Sequence, residues 1–145
     1  MTVAAGYEHY DIQDEDPYLI PGSTCLINSL GITDTQLLNE AEEKISAAAY
    51  AELIQSHAVP TFDLHHLCLI HQRLFGDIYP WAGIPRYTEI AKGGVLFLPY
   101  RLIDAKAIEV FDDLHAENLL RDLPMADFAT RAGYFLARIN AVHPF

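Results

Sequence analysis

Helical periodicity dominates this chain and is interrupted once, over residues 84–98, where the strand-favouring Tyr87, Thr88, Ile90, Val95 and Phe97 flank Lys92-Gly93-Gly94. Two successive glycines supply the positive φ that a tight reversal needs, so the interruption is predicted to be a short β-hairpin. The fold class is therefore mainly α with one small hairpin inserted between helices. That order of elements is uncommon.

The helices carry their own signals. Thr33 followed by Gln36 fits a capping box, and Leu37, Leu38, Ala41, Ile45, Ala48 and Ala49 recur at helical spacing through Leu53. A second helix runs from Asp63, with Leu64, Leu67, Ile70, Leu74 and Phe75 as its apolar stripe, until Gly76 and Pro80 end it. After the hairpin, Leu102, Ile103, Ala107, Ile108, Phe111, Leu114 and Leu119 mark a third helix. Phe128, Ala129, Ala132, Phe135, Leu136 and Ile139 mark a fourth, for which Asp122 is the candidate cap. Residues 1–22 read as an irregular acidic lead over the surface, with Tyr7, Tyr10 and Tyr18 set among Asp and Glu. No repeat, low-complexity tract or linker divides the chain, so 145 residues, 51% hydrophobic, are expected to form one domain.

Charge and composition exclude several function classes. A net charge of -11 with nine Lys and Arg repels a phosphate backbone, so nucleic acid is not an expected partner. A single nucleotide stays possible, since backbone N–H groups can form an anion site in an acidic protein. No apolar run reaches the eighteen or so residues that cross a bilayer, and the acidic start lacks the basic region of a secretion signal. A soluble, cytoplasmic protein is expected, with Cys25 and Cys68 as buried free thiols.

Candidate chemistry is sparse when residues are read singly. His143, at the end of the fourth helix, fits a histidine that favours the negative helix terminus. Pro144 stops that helix, because the residue before a proline is pushed out of the α region. His65, His66, Cys68 and His71 do not share one helix face as metal ligands would, and His71 and Trp81 read as packing residues. Lys92-Gly93-Gly94 lacks the G-x-x-x-x-G-K pattern of a phosphate loop and reads as a hairpin turn.

Longer matches carry more. The stretch from Leu69 to Gly83, Leu-Ile-His-Gln-Arg-Leu-Phe-Gly-Asp-Ile-Tyr-Pro-Trp-Ala-Gly, is similar to the I-H-x-x-L-F-x-D-I-Y-P-W-A-G segment of the Fic family. Ile90-Ala91-Lys92-Gly93-Gly94 resembles the family's flap hairpin, and Pro17-Tyr18-Leu19, Pro21-Gly22 and Leu30-Gly31-Ile32 extend the likeness toward the N-terminus. His143-Pro144-Phe145 opens the signature H-P-F-x-[D/E]-G-N-G-R. Nearly the whole chain resembles a Fic domain of the bacterial cell-filamentation type, a helical bundle with a flap, here cut inside the signature and lacking its C-terminal helices.

The resemblance implies a nucleotidyltransferase that moves AMP from Mg²⁺-bound ATP to a Tyr, Thr or Ser hydroxyl of a target protein. His143 would be the general base, Pro144 and Phe145 belong to its motif, and Ile90, Lys92, Gly93 and Gly94 would form the target-docking flap. The metal-holding acidic residue, the Gly-Asn-Gly phosphate nest and the motif arginine are not in this sequence, so the chain as given is expected to transfer little or nothing. A non-catalytic Fic-fold interaction module is the alternative, as is a relative that moves another phosphate-containing group. The inhibitory pattern [S/T]-x-x-x-E-[G/N] occurs at no Ser or Thr of the chain. Control by a separate small antitoxin is therefore implied, or by an inhibitory helix beyond residue 145.

Overall fold

The computed structural model describes residues 16–145. The first helix, α1 (Thr35–Gln55), is capped by Asp34, whose side chain accepts from the Leu37 N–H at 2.9 Å. The expected Thr33–Gln36 box is displaced by one residue, because a carboxylate at the positive helix end accepts more strongly than a hydroxyl. Of the predicted apolar face only Leu38 is buried, and Leu37 points to solvent. The second helix, α2 (Leu64–Phe75), opens on Asp63, which accepts from the His66 N–H at 2.7 Å, and Gly76 caps its far end.

The hairpin is shorter than 84–98. Strands β1 (Ala91–Lys92) and β2 (Val95–Leu96) pair antiparallel with Ala91 opposite Leu96 and Lys92 opposite Val95. Gly93 and Gly94, at φ 59° and 76°, make the two-residue turn whose twist matches the strands. One more ladder bond follows, from the Phe97 N–H to the Ile90 carbonyl at 3.0 Å; the next bonded pair of this register would set Thr88 opposite Pro99, which has no N–H to donate. Thr88 and Leu98 give their carbonyls to the Arg86 guanidinium, and the Arg86 N–H goes to the Pro144 carbonyl.

Helix α3 (Ile103–Ala116) stops short of Leu119, because Asn118, Leu119 and Leu120 turn left-handed at φ 53°, 55° and 60°. That turn drives Leu120 into the core. Helix α4 (Met125–Val142) follows Pro124 and has no side-chain cap; Asp122, expected to cap it, sits before the first turn at φ 63°.

Two apolar clusters result. Ile103, Ala107 and Val110 of α3 pack with Leu120 and with Phe135 and Val142 of α4. Leu38 of α1 packs with Cys25, Ile78, Tyr79 and Ala82. Helix α2 lies between, touching both α1 and α3. Both cysteines are free, Cys25 fully buried and Cys68 partly so. Of the expected acidic lead, Asp16 to Gly22 is described and ties back through an antiparallel bridge between Leu19 and Leu26; Tyr7 and Tyr10 lie outside the described residues. No described helix is long and apolar enough to cross a membrane.

Candidate active site

Pro144 ends α4 as the sequence implied, and the consequence is a histidine in a conformation that L-residues seldom adopt. His143 sits at φ 48° and ψ 65°, left-handed, while its N–H still reaches the Ile139 carbonyl at 3.2 Å. This swings the His143 carbonyl off the helix axis. The ring lies flat on Phe97, just after β2, with centroids 4.1 Å apart and planes 15° from parallel. Burial holds its pKa below the usual imidazole value of 6.5; the Arg86 and Lys92 cations push the same way, and a backbone hydrogen bond with Asn140 opposes them. A helix terminus favours the charged ring, yet burial is the largest influence on this residue and acts the other way. A neutral imidazole is the form that can accept a proton.

Arg86 is only 4% exposed. Its Nε donates to the His143 carbonyl at 2.7 Å, Nη1 to the Thr88 carbonyl at 2.8 Å, and Nη2 to the Leu98 carbonyl. Its own N–H donates to the Pro144 carbonyl at 2.7 Å. Sequence reasoning passed over this residue. One cue was available: Arg86 is the only Lys or Arg between Arg73 and Lys92.

His71 also enters the site. Nδ1 accepts the Gly83 N–H at 2.8 Å, which leaves the proton of the neutral ring on Nε2, and burial depresses its pKa to about 4. The ring stacks on Phe145 with centroids 4.0 Å apart. Its expected packing role thus bears directly on the His-Pro-Phe segment. Gly83 makes the close approach possible, since at φ +80° an added Cβ would stand 2.7 Å from Gln72 Cβ and 2.8 Å from the Cys68 carbonyl.

These groups face a cleft of about 310 Å³ lined by Tyr18, His71, Trp81, Arg86, Ile90 and His143, among others. Tyr18, read from sequence as surface, packs edge-on against Trp81 at 5.2 Å, and burial raises its pKa. Trp81 in turn stacks on Tyr79 at 4.7 Å. The flap residues divide. The Ile90 carbonyl accepts the Phe97 N–H at 3.0 Å, so its backbone faces inward while its side chain lines the cleft. Antiparallel alternation then turns the N–H and C=O of Ala91 outward. Lys92, Gly93 and Gly94 form the exposed tip. Among the described residues no group of three or more His, Cys, Asp or Glu could hold a metal ion, so they do not by themselves fit the magnesium that the resemblance implies.

A mainly helical scaffold, with a hairpin laid against the histidine that ends its last helix, defines the class of this domain. Its Phe97-His143 stack and Arg86 bonds make hairpin and helix end one unit. The chain belongs to the Fic/DOC family, whose model matches residues 61–145. It is 38% identical over 130 residues to the protein adenylyltransferase VbhT of Bartonella schoenbuchensis, covering 90% of this chain and 27% of that protein. It is 34% identical to the probable protein adenylyltransferase Fic of Salmonella typhimurium, covering 92% of this chain and 66% of that protein. Among solved structures, the N-terminal Fic domain of a VirB-translocated Bartonella quintana effector with bound ADP matches at TM-score 0.82 and 25% identity, over 89% of this chain and 67% of that one. The chain thus spans about a quarter to two thirds of the relatives it matches.

Proposed function

We propose that this chain is the helix-and-flap portion of a protein adenylyltransferase domain, which transfers AMP from ATP to a hydroxyl side chain of a target protein. The observation that carries the reading is the imidazole of His143, stacked on Phe97 beside the flap, open to a cleft and biased by burial toward its uncharged form. The adenylyltransferase names of the relatives and the ADP held by a structural neighbour support the same reading.

An extended target segment adds to the outward backbone edge of β1 at Ala91, which presents its hydroxyl near His143. The hydroxyl oxygen attacks the α-phosphorus and forms a P–O bond, while its proton passes to the His143 ring. The bond from the α-phosphorus to its bridging oxygen breaks, and pyrophosphate leaves with the electron pair. General-base assistance of this kind contributes about 10²- to 10⁴-fold.

The family motif places the phosphate nest, the acidic magnesium ligand and the motif arginine directly after Phe145. When bound, the ion would supply charge neutralisation on the phosphates. We assign the reaction to the cytoplasm, in keeping with two free thiols, and its restraint to a small antitoxin that brings the inhibitory helix.

The test is transfer of label from α-labelled ATP to protein by the full-length polypeptide. His143→Ala should abolish it while the fold persists. Undiminished labelling in that variant would remove His143 from the role of base.

A further inference from the structure

We propose that Arg86 is a positioning residue that fastens the histidine-bearing end of α4 to both legs of the flap, so that target and base are held in one geometry. The proposal rests on the adenylyl-transfer reading for its catalytic consequence, though not for the clamp itself. One guanidinium joins both legs of the hairpin to the helix end: it donates to the His143 carbonyl, 57 positions away, to the Thr88 carbonyl on the incoming leg and to the Leu98 carbonyl on the outgoing leg. The Arg86 N–H adds a fourth tie, to the Pro144 carbonyl. Leu98 directly follows Phe97, whose ring carries the imidazole, so the arginine fixes the histidine from its backbone and from its stacking partner together.

The residue type fits this task. A guanidinium presents donors in a rigid planar fork that can serve several acceptors at once, whereas a lysine ammonium gathers its donors at a single centre on a flexible four-carbon stem. Burial at 4% exposure raises the stakes, because an acceptor that loses its donor there stays unpaired. The left-handed turn at His143 also needs an anchor, since the carbonyl it swings outward has left the helix. Arg86 receives that carbonyl.

The experiment uses the full-length protein with Arg86→Lys and Arg86→Met. Exchange of flap amides between residues 88 and 98 should rise on the order of tenfold or more in both, and most in Arg86→Met. In the transfer assay the KM for the target protein should rise and kcat fall, for a combined loss of roughly a hundredfold. A residue that only stabilised the fold would lower the active fraction with KM unchanged.

A side-chain NMR titration of His143 adds a readout free of turnover. Cations near that ring are Arg86 and Lys92, and Asp16 and His71 line the same cleft. Arg86→Met should therefore raise the pKa of His143, with Arg86→Lys intermediate. Should either variant fail to fold, the wild-type protein still decides the matter, because the Arg86 Nε proton should exchange far more slowly than those of exposed arginines. Fast exchange of that proton, or folded variants with unchanged flap exchange and unchanged KM, overturns the clamp. If the wild-type protein transfers no AMP, the functional reading fails, and amide exchange and titration still judge the clamp.

Discussion

At the scale of single residues, His143 and Arg86 differ in how visibly the amino-acid sequence marks them. Pro144 announces the end of α4, and the motif letters around it single out the histidine. Nothing in the letters announces Arg86, because its acceptors are backbone carbonyls, one of them 57 positions away, and a carbonyl is carried by every residue alike. Tyr18 was hidden for a related reason: an aromatic in an acidic stretch looks like surface until Trp81 is folded beneath it. The depressed pKa of His143 has a direct kinetic consequence. The base is unprotonated down to a lower pH than a free imidazole, so the acidic limb of kcat/KM should inflect below 6.5; a limb at or above that value would contradict the buried setting. Gly83 gives a stability counterpart. Gly83→Ala forces a Cβ against Gln72 and Cys68 at a left-handed φ, and should lower unfolding free energy by about 3 kcal/mol in denaturant melts.

At the scale of elements, four helices and a hairpin were legible because periodicity and glycine pairs are local signals. Boundaries were less so. Asp34 took the α1 cap from Thr33, and the left-handed turn at Asn118–Leu120 cut α3 short to bury Leu120, a demand of packing that no local rule contains. The hairpin stops where its register sets Pro99 opposite Thr88, because a proline has no N–H to donate. Asp34→Ala should therefore cost about 1 kcal/mol, measured by thermal or denaturant unfolding, whereas Thr33→Ala should change little. At the flap tip, Gly93 and Gly94 hold conformations that cost an L-side chain about 1–2 kcal/mol each. Replacing both by valine should fray β1 from β2 and speed amide exchange there, with the helices unaffected.

At the scale of the molecule, α2 contacts both α1 and α3, and its His71 lays its ring against Phe145. Folding holds this imidazole at about 4, against 6.5 in the open chain, so the unfolded state takes up its proton first as the medium acidifies. Stability is complete above pH 6.5 and declines as pH falls toward 4, with His143 adding to the same trend. Denaturant midpoints measured across that window should fall with pH, and His71→Gln should flatten the slope. The left-handed backbone at His143 reaches furthest. Glycine adopts that conformation more readily than any residue with a side chain, so His143→Gly should retain more heat resistance than His143→Ala, although both forfeit the ring that rests on Phe97. The imidazole thus helps hold in place the unusual backbone that carries it, and a change of letter there removes fastening and chemistry together.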